Sequence, residues 1–96
     1  MLTDKQQKKF NEFYSAARNN DILQPKTTFL LHLAAAMAVG CSPCMEHYLE
    51  EAEKEGVSPE EIGAVQAVVM AVSAGRVGAQ LGAVEKRLEA GGGCCG

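Results

Sequence analysis

The chain has no tryptophan, and only 5% of its 96 residues are aromatic. The apolar residues are mainly Ala, Val, Leu and Gly. Small side chains of this kind allow helices to pack closely. The length allows one domain, and a domain of this size buries only about two-thirds of the surface its unfolded chain exposes, so association with further copies would add burial.

Positive charge is also scarce. The formal net charge is -3 and the isoelectric point is near 5.3. Nucleic acid and anionic membranes attract a basic face, so we expect neither as a partner. Lys5, Lys8 and Lys9 cluster near the N-terminus among polar residues, a pattern typical of a solvated helix face.

Two further absences concern location. The first ten residues are polar and lack the apolar centre of a secretory signal, so we expect a cytoplasmic, reducing location. The apolar stretch 62–84 is interrupted by Gln66, Ser73, Arg76 and Gln80, which argues against a membrane span. We interpret this stretch as a buried helix.

No segment shows the sustained alternation of a β-strand. The pattern predicts one all-α domain over residues 1–90, a small bundle of about five helices, followed by a flexible Gly/Cys tail at 91–96. N-cap signals at Thr3 and at Ser58, together with the stop signal Gly40, support the helix boundaries. The predicted helices span residues 3–20, 26–39, 42–55, 59–74 and 75–89.

Three glycines stand out in the last part of the domain. Gly75 is predicted to break the apolar stretch into two helices. With Gly78 and Gly82 it leaves a smooth face, which favours close helix packing over a ligand contact.

The chain does have a cysteine motif that carries chemistry, Cys41-Ser-Pro-Cys44, followed by His47. A proline inside the motif is typical of a helix start, so Cys44 and His47 share a helix face and the Cys41 sulfur lies within reach of Cys44. In a reducing compartment this pattern is more typical of catalysis or metal binding than of a structural disulfide. A thiolate stabilised by the helix start and by His47 would attack a peroxide or a disulfide, and the second cysteine would resolve the product.

Metal binding remains an alternative. A zinc site would need four ligands, although the adjacent pair in the tail lacks the usual spacing of a zinc module. Vicinal cysteines on a glycine tether are also suited to a soft metal or metalloid, or to exchange with a disulfide in the motif. The candidate ligands are Cys41, Cys44, His47, His32, Cys94 and Cys95.

Three segments carry a family likeness: Leu23-Gln-Pro-Lys-Thr27, then Val39-Gly-Cys-Ser-Pro-Cys44 with the His-Tyr-Leu that follows it, and Gly56-Val-Ser-Pro-Glu-Glu-Ile62. In combination they resemble the carboxymuconolactone decarboxylase and AhpD-like alkylhydroperoxidase superfamily, over about residues 10–88. The resemblance implies an all-helical fold that assembles into homo-oligomers, often trimers or hexamers. It also places the dithiol near a subunit contact.

The same resemblance implies roles for individual residues. Cys44 would reduce the peroxide, Cys41 would close the disulfide, and a glutamate and a histidine would relay protons. The glutamate position is occupied here by Phe29 and the histidine position by Tyr48, with His47 one residue early.

One residue along a helix rotates a side chain by about 100°, so we expect Tyr48, rather than His47, to point inward. His32 and Tyr48 are possible relay groups; His32 fits equally well as a buried imidazole bonded to a backbone carbonyl.

The leading hypothesis is a thiol-dependent oxidoreductase of the AhpD-like type that acts on a peroxide or a disulfide, with a thiol protein as possible reductant and no cofactor. The alternatives are a soft metal or metalloid binding protein that uses Cys41, Cys44 and the Cys94-Cys95 tail, and a structural oligomer with a vestigial dithiol.

Overall fold

The structure, a computed structural model, describes residues 1–91. In that range the regular structure is entirely α-helical, which confirms the predicted all-α bundle. The predicted tail cysteines Cys94 and Cys95 lie outside the described residues. The helices are α1 (Asp4–Arg18), α2 (Pro25–Val39), α3 (Ser42–Glu51) and α4 (Pro59–Glu89).

Local sequence signals account for both predicted helix caps. The Thr3 hydroxyl accepts the Gln6 backbone N–H at 3.2 Å, and the Gln6 side chain accepts the Thr3 N–H in return. Ser58 and Glu61 form the same reciprocal pair at the start of α4. Each box satisfies backbone donors that a helix start leaves without partners.

Two predicted boundaries are wrong. α4 is one continuous helix of 31 residues with no break at Gly75, because a glycine retains its backbone N–H and weakens a helix by only about 1 kcal/mol. α3 ends at Glu51, earlier than the predicted residue 55. A turn ends in Gly56, in the left-handed region at φ 70°, and the Val57 N–H bonds back to the Ala52 carbonyl at 2.9 Å.

The core is small and centres on α2, which lies between α3 and α4. Leu33 is fully buried at its middle, and the aromatic rings of Phe29 and Tyr48 pack edge to face beside it. Ala52 and Val57, from the turn after α3, complete the buried cluster. Half-buried residues from α4 and α3 close it from outside: Ile62, Val65 and Cys44.

The expectation that residues 62–84 form a buried helix is wrong for the single chain. No residue of α4 is buried, although one side of its first half packs on α2. By length and composition α4 is the one helix among residues 1–91 that could cross a membrane, and no residue of its most apolar window is fully buried in the chain. The apolar pattern of α4 predicts that the helix is buried, but it does not indicate which surface covers the helix.

Candidate functional site: the Cys41–Cys44 dithiol and an aromatic cluster beside it

The cysteine motif begins where α2 ends. Gly40 adopts the left-handed conformation, at φ 74° and ψ 37°, and its N–H and that of Cys41 bond back to carbonyls of the last turn of α2. Glycine adopts this conformation without the penalty that a Cβ would carry. α2 therefore ends at Gly40, and Cys41 directly after it is the N-cap of α3.

Cys41 and Cys44 are joined by a disulfide, with Cα atoms 5.3 Å apart. The Cys44 backbone N–H donates to the Cys41 sulfur at 3.3 Å, so this sulfur takes the place of the usual N-cap oxygen. Both residues are half-buried, and Cys44 packs against the core. The pair thus sits where unpaired N–H groups favour negative charge on sulfur once the bond is reduced.

Tyr48 lies one turn beyond Cys44 and points inward, with only 3% of its surface exposed. His47 is exposed, and its ring contacts Tyr48 edge-on with centroids 5.1 Å apart. The structure therefore confirms that Tyr48, rather than His47, points inward. His47 lies at the surface beside the buried phenol.

Tyr48 has two neighbours on α1 that the sequence analysis did not select. Its hydroxyl oxygen lies 3.4 Å from that of Tyr14, and the Arg18 guanidinium lies 5.8 Å and 5.9 Å from the centroids of the two tyrosine rings. Burial, followed by the hydrogen bond to Tyr14, raises the pKa of Tyr48 to about 12. Tyr14 and Arg18 are four residues apart and so share a helix face, which is the signal that could have revealed them.

His32 stacks on Tyr48 at 5.5 Å between centroids, with an interplanar angle of 24°. Burial, and then the positive charge of Arg18, lower the pKa of His32 and so favour its neutral form. Within residues 1–91 no hydrogen bond joins His32 to a backbone carbonyl, so the structure does not show that alternative role for it. A cavity of about 120 Å³ opens beside these groups, lined by Arg18, His32, Tyr48 and Glu55 among others.

The structure does not assemble the proposed zinc site within residues 1–91. In this part of the chain no three Cys, His, Asp or Glu side chains converge as a metal site would require. Cys41 and Cys44 are bonded to each other, and His47 faces outward. The candidate ligands Cys94 and Cys95 fall beyond the described range.

The profile of the carboxymuconolactone decarboxylase family matches residues 5–86. This range contains both bonded cysteines and the aromatic cluster, by which we mean Tyr14, Phe29, His32, His47 and Tyr48. The chain belongs to the carboxymuconolactone decarboxylase family. Its fold is similar to a crystal structure of a protein from Methanobacterium thermoautotrophicum, a structural genomics target: the TM-score is 0.78 with 26% identity, over 86% of this chain and 94% of that one. None of the curated proteins with which the chain was compared matches it.

Within the carboxymuconolactone decarboxylase family, the AhpD-like pattern has a glutamate and a histidine where this chain has Phe29 and Tyr48. The structure shows that these two positions touch, with ring centroids 5.2 Å apart and both rings buried. A carboxylate at position 29 would face a buried phenol in an apolar cluster, where an unpaired charge is costly. The two departures therefore form one packed aromatic pair.

Proposed function

We propose that this member of the carboxymuconolactone decarboxylase family is a thiol-dependent oxidoreductase of the AhpD-like type, which reduces a peroxide or a disulfide. The observation that supports this most directly is the Cys41–Cys44 bond within the first turn of α3. Two sulfurs that bond to each other without leaving a helix start can cycle between dithiol and disulfide with little backbone movement.

With a peroxide, the Cys44 thiolate attacks one peroxide oxygen and the O–O bond breaks. Cys44 becomes a sulfenic acid, and the other oxygen leaves as an alcohol once it gains a proton. The Cys41 thiolate then attacks the Cys44 sulfur, the S–O bond breaks and water leaves after protonation. A second thiol protein supplies two electrons and two protons to restore both thiols; with a disulfide substrate, exchange passes through a mixed disulfide.

The aromatic cluster supports a proton path in which Tyr48 takes the place of the relay histidine. Because its raised pKa keeps the phenol protonated at neutral pH, Tyr48 is a proton donor for a leaving oxygen rather than a base. His32, which is stacked on Tyr48 and whose lowered pKa favours the neutral imidazole, is the relay partner in this proposal. His47 is exposed and contacts the edge of Tyr48, so it lies between the phenol and solvent.

We also propose a reductant, an assembled form and a cellular location for the protein. A cytoplasmic thiol protein would be the reductant, and a homo-oligomer, trimeric or hexameric as in the family resemblance, would be the assembled form. Cys44 is half-buried, so part of this residue is exposed at the surface where a peroxide or a protein disulfide would approach.

Turnover of an alkyl hydroperoxide with dithiothreitol as reductant tests this function. We expect Cys44→Ser to abolish turnover, and Tyr48→Phe to slow it on the order of 10²-fold, as loss of a general acid does. Glu46→Gln is a matched control, because Glu46 is exposed on the same helix. Unchanged peroxide and disulfide turnover in Cys44→Ser would refute the proposal.

A further inference from the structure

Three of the four methionines of the chain line a single cavity, which we call the methionine cavity. Its volume is about 550 Å³, and it opens to solvent. The three residues are Met37, Met45 and Met70, and each comes from a different helix: α2, α3 and α4. The fourth, Met1, is fully exposed at the N-terminus. The fold therefore brings together every thioether group that is not at the end of the chain.

The methionine cavity lies between α3 and α4. Within residues 1–91 both of these helices pack on α2, and their backbones do not pack on each other. Met37 belongs to the last turn of α2, and Met45 directly follows Cys44 in the first turn of α3. The methionine cavity shares no lining residue with the cavity beside Tyr48, so it is separate from the proposed proton path.

The three methionine side chains can turn toward one point. A methionine side chain is unbranched and has three rotatable bonds, so its sulfur can be repositioned without a backbone movement. Met37 and Met45 are half-buried, whereas Met70 is 62% exposed and has room to swing. Because the cavity is wider than one metal ion, binding requires that the sulfurs converge on the ion.

The chemistry of the wall selects a soft ion of low charge. Thioether sulfur is a soft, neutral ligand of the kind that selects Cu(I) among the transition metals. The remaining lining residues are Gln66, Val69 and Ser73, which supply no carboxylate and no imidazole. Such a wall does not offset the charge of a divalent cation, and an uncompensated charge in apolar surroundings is costly.

We propose that Met37, Met45 and Met70 bind one Cu(I) ion through their thioether sulfurs. This site differs from the metal sites considered from the sequence, because no cysteine or histidine is a ligand. A bound ion joins α3 to α4, which otherwise meet through α2, and so it stabilises the fold by mass action. Binding does not depend on redox activity of the dithiol.

Methyl NMR of the full chain, with carbon-13 in the methionine methyl groups, tests the proposal. Ag(I) is the probe, because it is soft and monovalent like Cu(I) and keeps its oxidation state. Cys94→Ser and Cys95→Ser, with the Cys41–Cys44 disulfide intact, remove competing thiols. We expect one equivalent of Ag(I) to shift the signals of the three cavity methionines and to leave that of Met1 in place. Zn(II) should shift none of them.

Substitutions separate a built site from binding to single thioethers. Met70→Leu keeps an apolar side chain of similar size and removes one sulfur. It should weaken Ag(I) binding at least about 10-fold, since even groups that only orient a metal ligand contribute about that much. Leu81→Met is the matched control, because it adds a methionine on the same helix at a similarly exposed position outside the cavity, and its signal should not shift.

Three results would overturn the proposal. The first is that Ag(I) leaves the signals of the cavity methionines unchanged. The second is that Met1 and the methionine introduced by Leu81→Met shift as much as the cavity methionines, which would indicate adventitious binding only. The third is that Met70→Leu binds Ag(I) as tightly as the parent. If circular dichroism shows that Met70→Leu has lost helix, Met45→Leu replaces it in the same comparison.

Discussion

Alkaline pH should destabilise the protein through Tyr48. Its phenol is 3% exposed and has a pKa of about 12, whereas an unfolded chain would give the same group a pKa near 10. Below pH 10 the phenol is protonated in both states and the full stability is present. Between pH 10 and pH 12 the unfolded chain ionises first, so stability is lost as the pH rises.

The magnitude follows from the two pKa values. One pKa unit corresponds to 1.36 kcal/mol, so a difference of about two units removes about 2 to 3 kcal/mol of unfolding free energy across this interval. For a small domain this is a large part of the total, which is typically 5–15 kcal/mol. Burial is the largest cause of the raised pKa, and the hydrogen bond to Tyr14 is second.

Urea unfolding at fixed pH values from 8 to 12 measures this loss in the disulfide form. Tyr48→Phe keeps the ring and removes the titrating group, so the difference between the two proteins isolates Tyr48 from all other groups that titrate in this range. We expect the wild type to lose about 2 to 3 kcal/mol relative to the variant by pH 12. Parallel curves for the two proteins would show that Tyr48 ionises at its ordinary pH and would refute our account of the cluster.

Three further outcomes are expected. Tyr14→Phe leaves Tyr48 as the only tyrosine, and its ionisation, followed by absorbance at 295 nm, should move below pH 12 yet stay above 10, because the hydrogen bond is lost and burial remains. Leu33→Ala, at a fully buried position, should lower the unfolding free energy by about 3 to 5 kcal/mol in urea titrations; a loss below 1 kcal/mol would contradict the assigned core. Gly40→Ala should destabilise the protein by about 1 kcal/mol, because an alanine is strained at the left-handed φ of this position. Gly63→Ala, inside α4 with open space around it, should stabilise the protein by a similar amount. If thermal melts show that both substitutions change the stability in the same direction, the turn geometry at Gly40 is contradicted.

The candidate site was partly readable from the sequence. The thiol pair, its helix start and the inward position of Tyr48 follow from spacing along one helix, where one residue corresponds to a fixed rotation. Tyr14 and Arg18 were missed because they lie on another helix, and only the packing of α1 near α3 brings them to the phenol. The stacking of His32 on Tyr48 likewise depends on how α2 crosses α3.

The helix boundaries were likewise predicted correctly only where local signals fix them. Capping boxes and a glycine stop mark the start of α1, the end of α2 and the start of α4, because these signals act through hydrogen bonds within a few residues. The break at Gly75 was wrong because a single glycine lowers helix stability without removing a backbone donor.

By itself the sequence determined the all-α class, the helix starts and the position of the dithiol, since each rests on periodicity or on contacts between near neighbours. Only the tertiary structure decided that Phe29 and Tyr48 form one packed pair, that α1 supplies a second tyrosine and an arginine, and that α4 leaves most of its apolar surface uncovered. These features depend on distances between residues far apart in the chain. An apolar sequence pattern indicates that one face of a helix is favoured to be buried. Only the arrangement of the helices shows which apolar faces remain exposed.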